Sequence, residues 1–203
     1  GSIKNTTEPY PLVVNSGELT VENVAIEASA SDRAIWLGNS GTVLNFNSGS
    51  ILATKGENNT KTKIYGVWVS QGATANINGG TIEVDAGESD TAVGIFGNYT
   101  NANVTVNGGK ISTSGTNYSY GINVDGDITV NGGKFVAYDG AAAQRNCAIE
   151  LRKSGANGPK VTLTGDITFE NAKILAQDSY KKTIAEGVVA GEGATVAFAD
   201  ITD

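Results

Sequence analysis

The stretch VTVNGGKI, Val104–Ile111, returns 24 residues later as ITVNGGKF, Ile128–Phe135, and stands 29 residues earlier as ANINGGTI, Ala75–Ile82. Chemistry seldom needs three copies of one octet, whereas a stacked architecture does. Looser copies extend the series on both sides: LTVENVAI (19–26), LNFNSGSI (44–51) and ITFENAKI (167–174), with a partial VAFADI from Val196. Successive octets start 25, 31, 29, 24 and 39 residues apart. Between them runs a second motif of a small residue, Ile or Val, a variable residue and usually an apolar one. It reads AIWL (34–37), GVWV (66–69), GIFG (94–97), GINV (121–124), AIEL (148–151) and GVVA (187–190). The two motifs alternate without a miss, so the repeat is real.

Both motifs carry the period of two expected of strands. Val104 and Val106 point one way and Thr105 the other, and the Gly-Gly step then permits a bend before Ile111. A unit this short cannot bury its own apolar face, but stacked copies cover one another. Polar insertions such as ATKGENNTKTK (53–63), YDGAAAQRN (138–146) and RKSGANGPK (152–160) read as loops leaving the stack. The pattern predicts an all-β, single-stranded parallel β-helix of about six to seven turns, roughly 30 Å long at the usual strand spacing. Residues 12–203 form this solenoid, and residues 1–11 read as a lead-in or cap that begins with a Gly1-Ser2 cloning scar. A helical solenoid lacks support, since only 170–184 shows a 3.6-residue period. An antiparallel sandwich is the runner-up, and the variable repeat argues against it.

Composition narrows the partners. The 203 residues include 27 Gly, 3 Pro, one Cys, no His and no Met, with a net charge of −7. A pI near 4.6 and only three arginines, at 33, 145 and 152, argue against nucleic acid. No apolar run is long enough to cross a membrane as a helix. The missing Met makes an excised piece of a longer protein the expectation, so the lack of a signal peptide carries no weight.

The serial xTVNGGxI octets, the G-[IV]-x-[VL] tetrads and the Asn at octet position four resemble the right-handed, pectate-lyase-like parallel β-helix of bacterial surface adhesins and autotransporter passenger domains. The resemblance runs from Leu12 to Ile201 and rests on structural motifs. It implies a right-handed coil, an extracellular or cell-surface location, and adhesion or display rather than catalysis. The implied partner is a host or bacterial surface glycan or protein, with self-association open, and with no cofactor and no nucleic acid. Asn47, Asn78, Asn107 and Asn131 resemble the asparagine ladder of that family, with Glu22 and Glu170 in the flanking turns. Thr20, Asn45, Asn76, Thr105, Thr129 and Thr168 make an outward stripe beside it, which reads as ordinary sheet stabilisation.

The variable tetrad residue should point outward. In turn order it is Trp36, Trp68, Phe96, Asn123, Glu150 and Val189, bordered by Tyr65 and Tyr120. Three readings stand: a carbohydrate platform with Asn123 and Glu150 taking hydroxyls, a protein interface, or rings covered by a loop such as 53–63.

Catalysis lacks its usual parts. Without His there is no His-based acid–base pair, triad or His metal site. The paired carboxylates of a glycosidase would have to come from Asp125, Asp127 and Glu150. However, Asp125-Gly126-Asp127 reads equally well as a turn. Arg145, Arg152 and Lys153 lie near Glu150 without any Asp-rich metal spacing, so no metal is expected. A polysaccharide-active enzyme, or a carbohydrate-binding module of one, is the alternative. Cys147 reads as a semi-buried structural thiol.

Overall fold

Inward Val, Ile and Phe at every second position, separated by glycine corners, leave the chain one way to bury its apolar faces, and it takes it. The structure is a computed structural model that describes residues 1–7, 10–87, 90–99, 101–137, 145–151, 161–176, 188–190 and 195–199. The strands are β1 (Ser2–Asn5), β2 (Leu12–Val14), β3 (Glu18–Val21), β4 (Val24–Ala28), β5 (Arg33–Leu37), β6 (Val43–Phe46), β7 (Gly49–Thr54), β8 (Lys63–Val69), β9 (Thr74–Ile77), β10 (Thr81–Gly87) and β11 (Thr91–Gly97). They continue as β12 (Asn103–Val106), β13 (Lys110–Gly115), β14 (Tyr118–Val124), β15 (Ile128–Val130), β16 (Gly133–Ala137), β17 (Arg145–Leu151), β18 (Val161–Leu163), β19 (Asp166–Glu170), β20 (Lys173–Ala176), β21 (Val188–Ala190) and β22 (Thr195–Ala199).

The chain visits three sheets in rotation. The first holds β1-β4-β7-β10-β13-β16-β19-β22, the second β2-β5-β8-β11-β14-β17-β20, and the third β3-β6-β9-β12-β15-β18-β21. Every pairing between successive rungs is parallel, from β1 with β4 to β19 with β22. This is an all-β parallel solenoid, and no helix occurs among the described residues. The lead-in drawn at residues 1–11 belongs in part to the coil, because Ser2–Asn5 pairs with Ala25–Ala28.

Inside, like residues stack on like. Ile26, Ile51, Ile82, Ile111, Phe135 and Phe169 form one column of the first sheet, with the Phe135 and Phe169 rings 5.5 Å apart. Ile35, Val67, Ile95, Ile122 and Ile149 form a column of the second. Phe46, Ile77, Val106, Val130 and Leu163 form one of the third. All are buried, so each inner side chain exchanges water for apolar neighbours on several sides, which is the main stabilising term of such a coil.

The octet glycines have a steric cause. Gly80 and Gly109 sit at φ of 76° and 86°, and a Cβ on Gly109 would lie 2.6 Å from the Gly80 carbonyl oxygen one rung below. Both the left-handed conformation and the close approach exclude a side chain there. In the first octet the positive φ falls one position earlier, on Asn23, at 53°.

The last repeats are placed differently from expectation. ITFENAKI is not the sixth octet of the third sheet. Ile167 and Phe169 pair with Gly133 and Phe135 in the first sheet, and Lys173–Ala176 lies in the second. The third-sheet strand is Val161–Leu163, paired with Ile128–Val130, and its corner uses Gly165 at φ of 71°. GVVA is likewise displaced, since Val188–Ala190 pairs with Val161–Leu163 rather than extending the tetrad sheet. Corner chemistry alone does not separate the two, since Thr164-Gly165 and Glu170-Asn171 both supply a polar residue and a positive φ; the pairing of Phe169 with Phe135 and of Val161–Leu163 with Ile128–Val130 does. Residues 138–144 and 152–160, including Arg152 and Lys153, lie outside the described residues, as does Ile201.

Candidate functional site

The tetrad begins with a small residue for a reason visible only in three dimensions. In β8, Ile64, Val67 and Val69 belong to the inner core. A Cβ on Gly66 would meet Ile82 Cγ2 at 2.7 Å and Val84 Cγ2 at 3.3 Å, so Gly66 faces the core as well. Gly94 and Gly121 behave alike, against Ile111 at 2.5 Å and Phe135 at 3.1 Å. Two successive residues therefore face inward, and the alternation changes phase. Tyr65 and Trp68, three positions apart, both end on the outer face.

That phase change creates a pair of outer columns on the second sheet. One holds Arg33, Tyr65, Val93, Tyr120 and Cys147, the other Trp36, Trp68, Phe96, Asn123 and Glu150. Val189 is not part of it, because its strand lies in the third sheet opposite Thr162. Glu150 is followed instead by Leu175.

These side chains leave the wall outward, yet most are buried. Tyr65, Phe96 and Tyr120 retain 6%, 8% and 7% of their exposure, and Asn123 and Glu150 only 3% and 2%. Tyr65, Val93, Phe96, Tyr120 and Cys147 form a second apolar cluster, with Trp68 and Tyr118 half-buried against it. Its rings are angled to one another. Trp68 lies 4.5 Å from Phe96 at 63° and 4.9 Å from Tyr65 at 75°, edge-to-face arrangements that the ring quadrupoles favour. Tyr118 and Tyr120 are stacked at 5.7 Å. Apart from the Tyr118–Tyr120 stack, the rings lie edge-on or tilted to one another rather than in one plane.

The end of the cluster nearest the first rungs is different. Arg33 places its guanidinium carbon 3.8 Å from the Trp68 ring centre, 4.8 Å from that of Tyr10 and 5.3 Å from that of Trp36. Its Nε and Nη2 donate to the two carboxylate oxygens of Asp32 at 2.9 and 2.6 Å. The indole of Trp36 donates to Ser70 Oγ at 3.0 Å. Trp36, Trp68 and Arg33 stay half-buried, so this is where the outer face still meets solvent. Farther along, Asn123 Nδ2 donates to Glu150 Oε2 between adjacent rungs. The Asp125-Gly126-Asp127 step is the corner between β14 and β15, where a Cβ on Gly126 would fall 1.8 Å from the Ala102 carbonyl oxygen.

The asparagine column is hydrogen-bonded throughout. Asn47 donates to Glu22 at 2.9 Å, Asn78 to Asn47 at 2.8 Å, Asn107 to Asn78 at 2.6 Å and Asn131 to Asn107 at 2.7 Å. Thr164 ends the ladder with a 2.5 Å bond to Asn131. Glu170, expected at that end, instead pairs with Lys134 on the first sheet. A shorter ladder runs beside it, from Asn76 to Asn45 at 2.8 Å and on to Glu18. Sequence spacing found the columns. It did not show that Arg33 lies over the tryptophan rings or that Tyr10 meets Trp36 edge-to-face at 5.4 Å.

The class of protein is thus a parallel β-solenoid with a second, aromatic layer on one outer face. Comparison of the chain with family models, curated proteins and solved structures finds no match in any of the three.

Proposed function

We propose that the chain is a non-catalytic adhesion and display module of a bacterial cell-surface protein, binding a partner protein through the outer face of its second sheet. The observation that carries this reading is the partly buried group of Arg33, Trp36, Trp68 and Tyr10, which still reaches solvent and is held in place by the buried cluster behind it. Trp, Tyr and Arg are the residue types that dominate protein-binding hot spots, and rigid backing lowers the entropy cost of contact. A glycan platform is the weaker version, because Arg33 already lies over the Trp68 ring and the neighbouring rings are tilted. The resemblance to surface adhesins supports the location but rests on scaffold motifs alone. Adhesion to cell- and matrix-coated surfaces is the test: the Trp36→Ala/Trp68→Ala double variant, with its circular dichroism unchanged, should lose at least tenfold. Undiminished adhesion would remove this face from the function.

One observation favours a second reading, a polysaccharide-active enzyme. Glu150 is a buried carboxylate on the same face as the aromatics, and buried carboxylates serve as acids or nucleophiles in glycoside chemistry. That reading requires turnover of a polysaccharide that Glu150→Gln abolishes.

A further inference from the structure

We infer that the cleft at the corner between the first and second sheets, beside the insertion between β7 and β8, is a binding site for a short neutral saccharide, separate from the aromatic face. The cleft holds about 650 Å³, within the range of small-molecule sites. One wall is the turn after β1, with Thr6 and Thr7. The other is the 56–61 segment, with Glu57, Asn58, Thr60 and Lys61, and Ser29 forms part of the floor.

The insertion is polar enough to be a loose loop, but it is pinned at both ends and in the middle. Lys55 N donates to Asp85 O and Gly56 N to Ser29 O, each at 2.9 Å. Lys55 also ion-pairs with Asp90. Asn59 is 7% exposed and works inward: its amide donates to Ser29 O at 3.3 Å and Ser31 O at 3.0 Å, and its Oδ1 accepts from Lys61 N at 3.0 Å. A Cβ on Gly56 would sit 2.8 Å from Ser29 O, so the loop rests directly on the rung beside it. One buried asparagine thus fixes the backbone while Glu57, Asn58, Thr60 and Lys61 stay exposed around the opening. A loop held rigid with its polar groups turned to an open cleft is preorganised for a ligand.

The lining chooses the ligand class. Among the described residues it offers three threonine hydroxyls, a serine hydroxyl and the amides of Asn58 and Asn59, with no aromatic and no large aliphatic side chain. That composition gives an apolar ligand nothing to pack against. Among the described residues the carboxylate of Glu57 and the ammonium of Lys61 cancel in formal charge, so neither a net anion nor a net cation is favoured. A sugar's vicinal hydroxyls both donate and accept, and can serve the carboxylate, the ammonium and the threonines together.

The test is amide chemical-shift mapping on the full chain, titrated with cellobiose, lactose and N,N′-diacetylchitobiose as neutral probes and with glucuronic acid and glucosamine as charged ones. The inference expects at least one neutral disaccharide to shift the amides of Thr6, Thr7, Gly56, Asn58 and Thr60. Binding should weaken at least tenfold in Glu57→Ala/Lys61→Ala, two exposed positions, and stay unchanged in Trp68→Ala. Shifts centred on Trp36 and Trp68, preference for a charged probe, or silence with all five would overturn it. Because Trp68 is spared here and required for the adhesion face, the two proposals fail separately.

Discussion

The inside of the coil and the outer face of its second sheet both bury apolar side chains, yet they are built on opposite principles. Inside, each rung repeats the one below, and aliphatic side chains stack in columns that need no polar partner. Outside, no two rungs carry the same pair: Arg33 and Trp36 give way to Tyr65 and Trp68, then Val93 and Phe96, then Tyr120 and Asn123, then Cys147 and Glu150. There the polar groups need specific partners, and find Asp32, Ser70 and each other. The inner layer specifies the fold through likeness, whereas the outer layer gives one face an individual chemistry through difference.

The largest contrast should appear on truncating one phenylalanine in each layer. Phe135→Ala removes a ring packed on Phe169 in a close-packed interior and should cost about 4 kcal/mol in urea unfolding. Phe96→Ala, in a cluster that borders solvent, should cost about half as much. Equal losses would mean that the outer layer is as much a core as the inner one.

Gly94→Ala probes the link between the layers. A methyl there would meet Ile111 Cγ2 at 2.5 Å and the Gly121 carbonyl oxygen at 2.6 Å, the second a backbone atom that cannot swing aside. It should destabilise by about 2 kcal/mol and disturb the near-ultraviolet dichroism of the outer rings, because the phase change that sends Tyr65 and Trp68 to one face depends on this column. Native-like stability and dichroism would show that the glycines are not what sets the phase.

A smaller effect is expected at the ladder. Asn107→Ala removes one rung from the chain of amides between Glu22 and Thr164 and should cost about 1 kcal/mol, the net worth of a hydrogen bond that water partly replaces. The loss should be similar in low and high salt, as neutral partners dictate.

Least of all should come from Lys134 and Glu170 on the exposed first sheet. The hydrogen bond and the charge of Lys134 hold the Glu170 carboxyl below its ordinary value. A depressed carboxyl contributes stability that is present above its unfolded pKa and disappears as pH falls through the folded one. Acid unfolding curves of Lys134→Gln and the parent should therefore differ slightly near neutrality and merge at the acid end, with the difference screened by salt. A difference that grows on acidification would reverse the sign of this account.

Much of the fold could be read from spacing because a solenoid writes its geometry as repetition. Val104, Val106 and Ile111 with their counterparts gave the inner columns, and the aligned Asn residues gave the ladder. Beyond residue 150 spacing and placement part company. ITFENAKI looks more like an octet than VTLTG does, and only the pairing of Phe169 with Phe135 shows which sheet it joins. Glu170 was thereby moved off the ladder, and Val189 off the aromatic face. As for the site, the tetrad spacing located the outward residues but not their surroundings. Tyr10 belongs to no recurring motif, Arg33 carries a charge where the next rungs of its column hold Tyr65 and Val93, and both reach the tryptophans through space.

Alternation along a strand, set by backbone geometry, already fixes which side chains share a face, and glycine at a corner already fixes where the chain turns; both are local properties that the residue order carries. Whether an outward side chain meets water, another ring or a guanidinium is set by segments distant in the chain. Only folding brought Arg33 over Trp68, buried Glu150 beside Asn123 and pinned the 56–61 loop with Asn59, because those contacts depend on how rungs and loops pack in three dimensions.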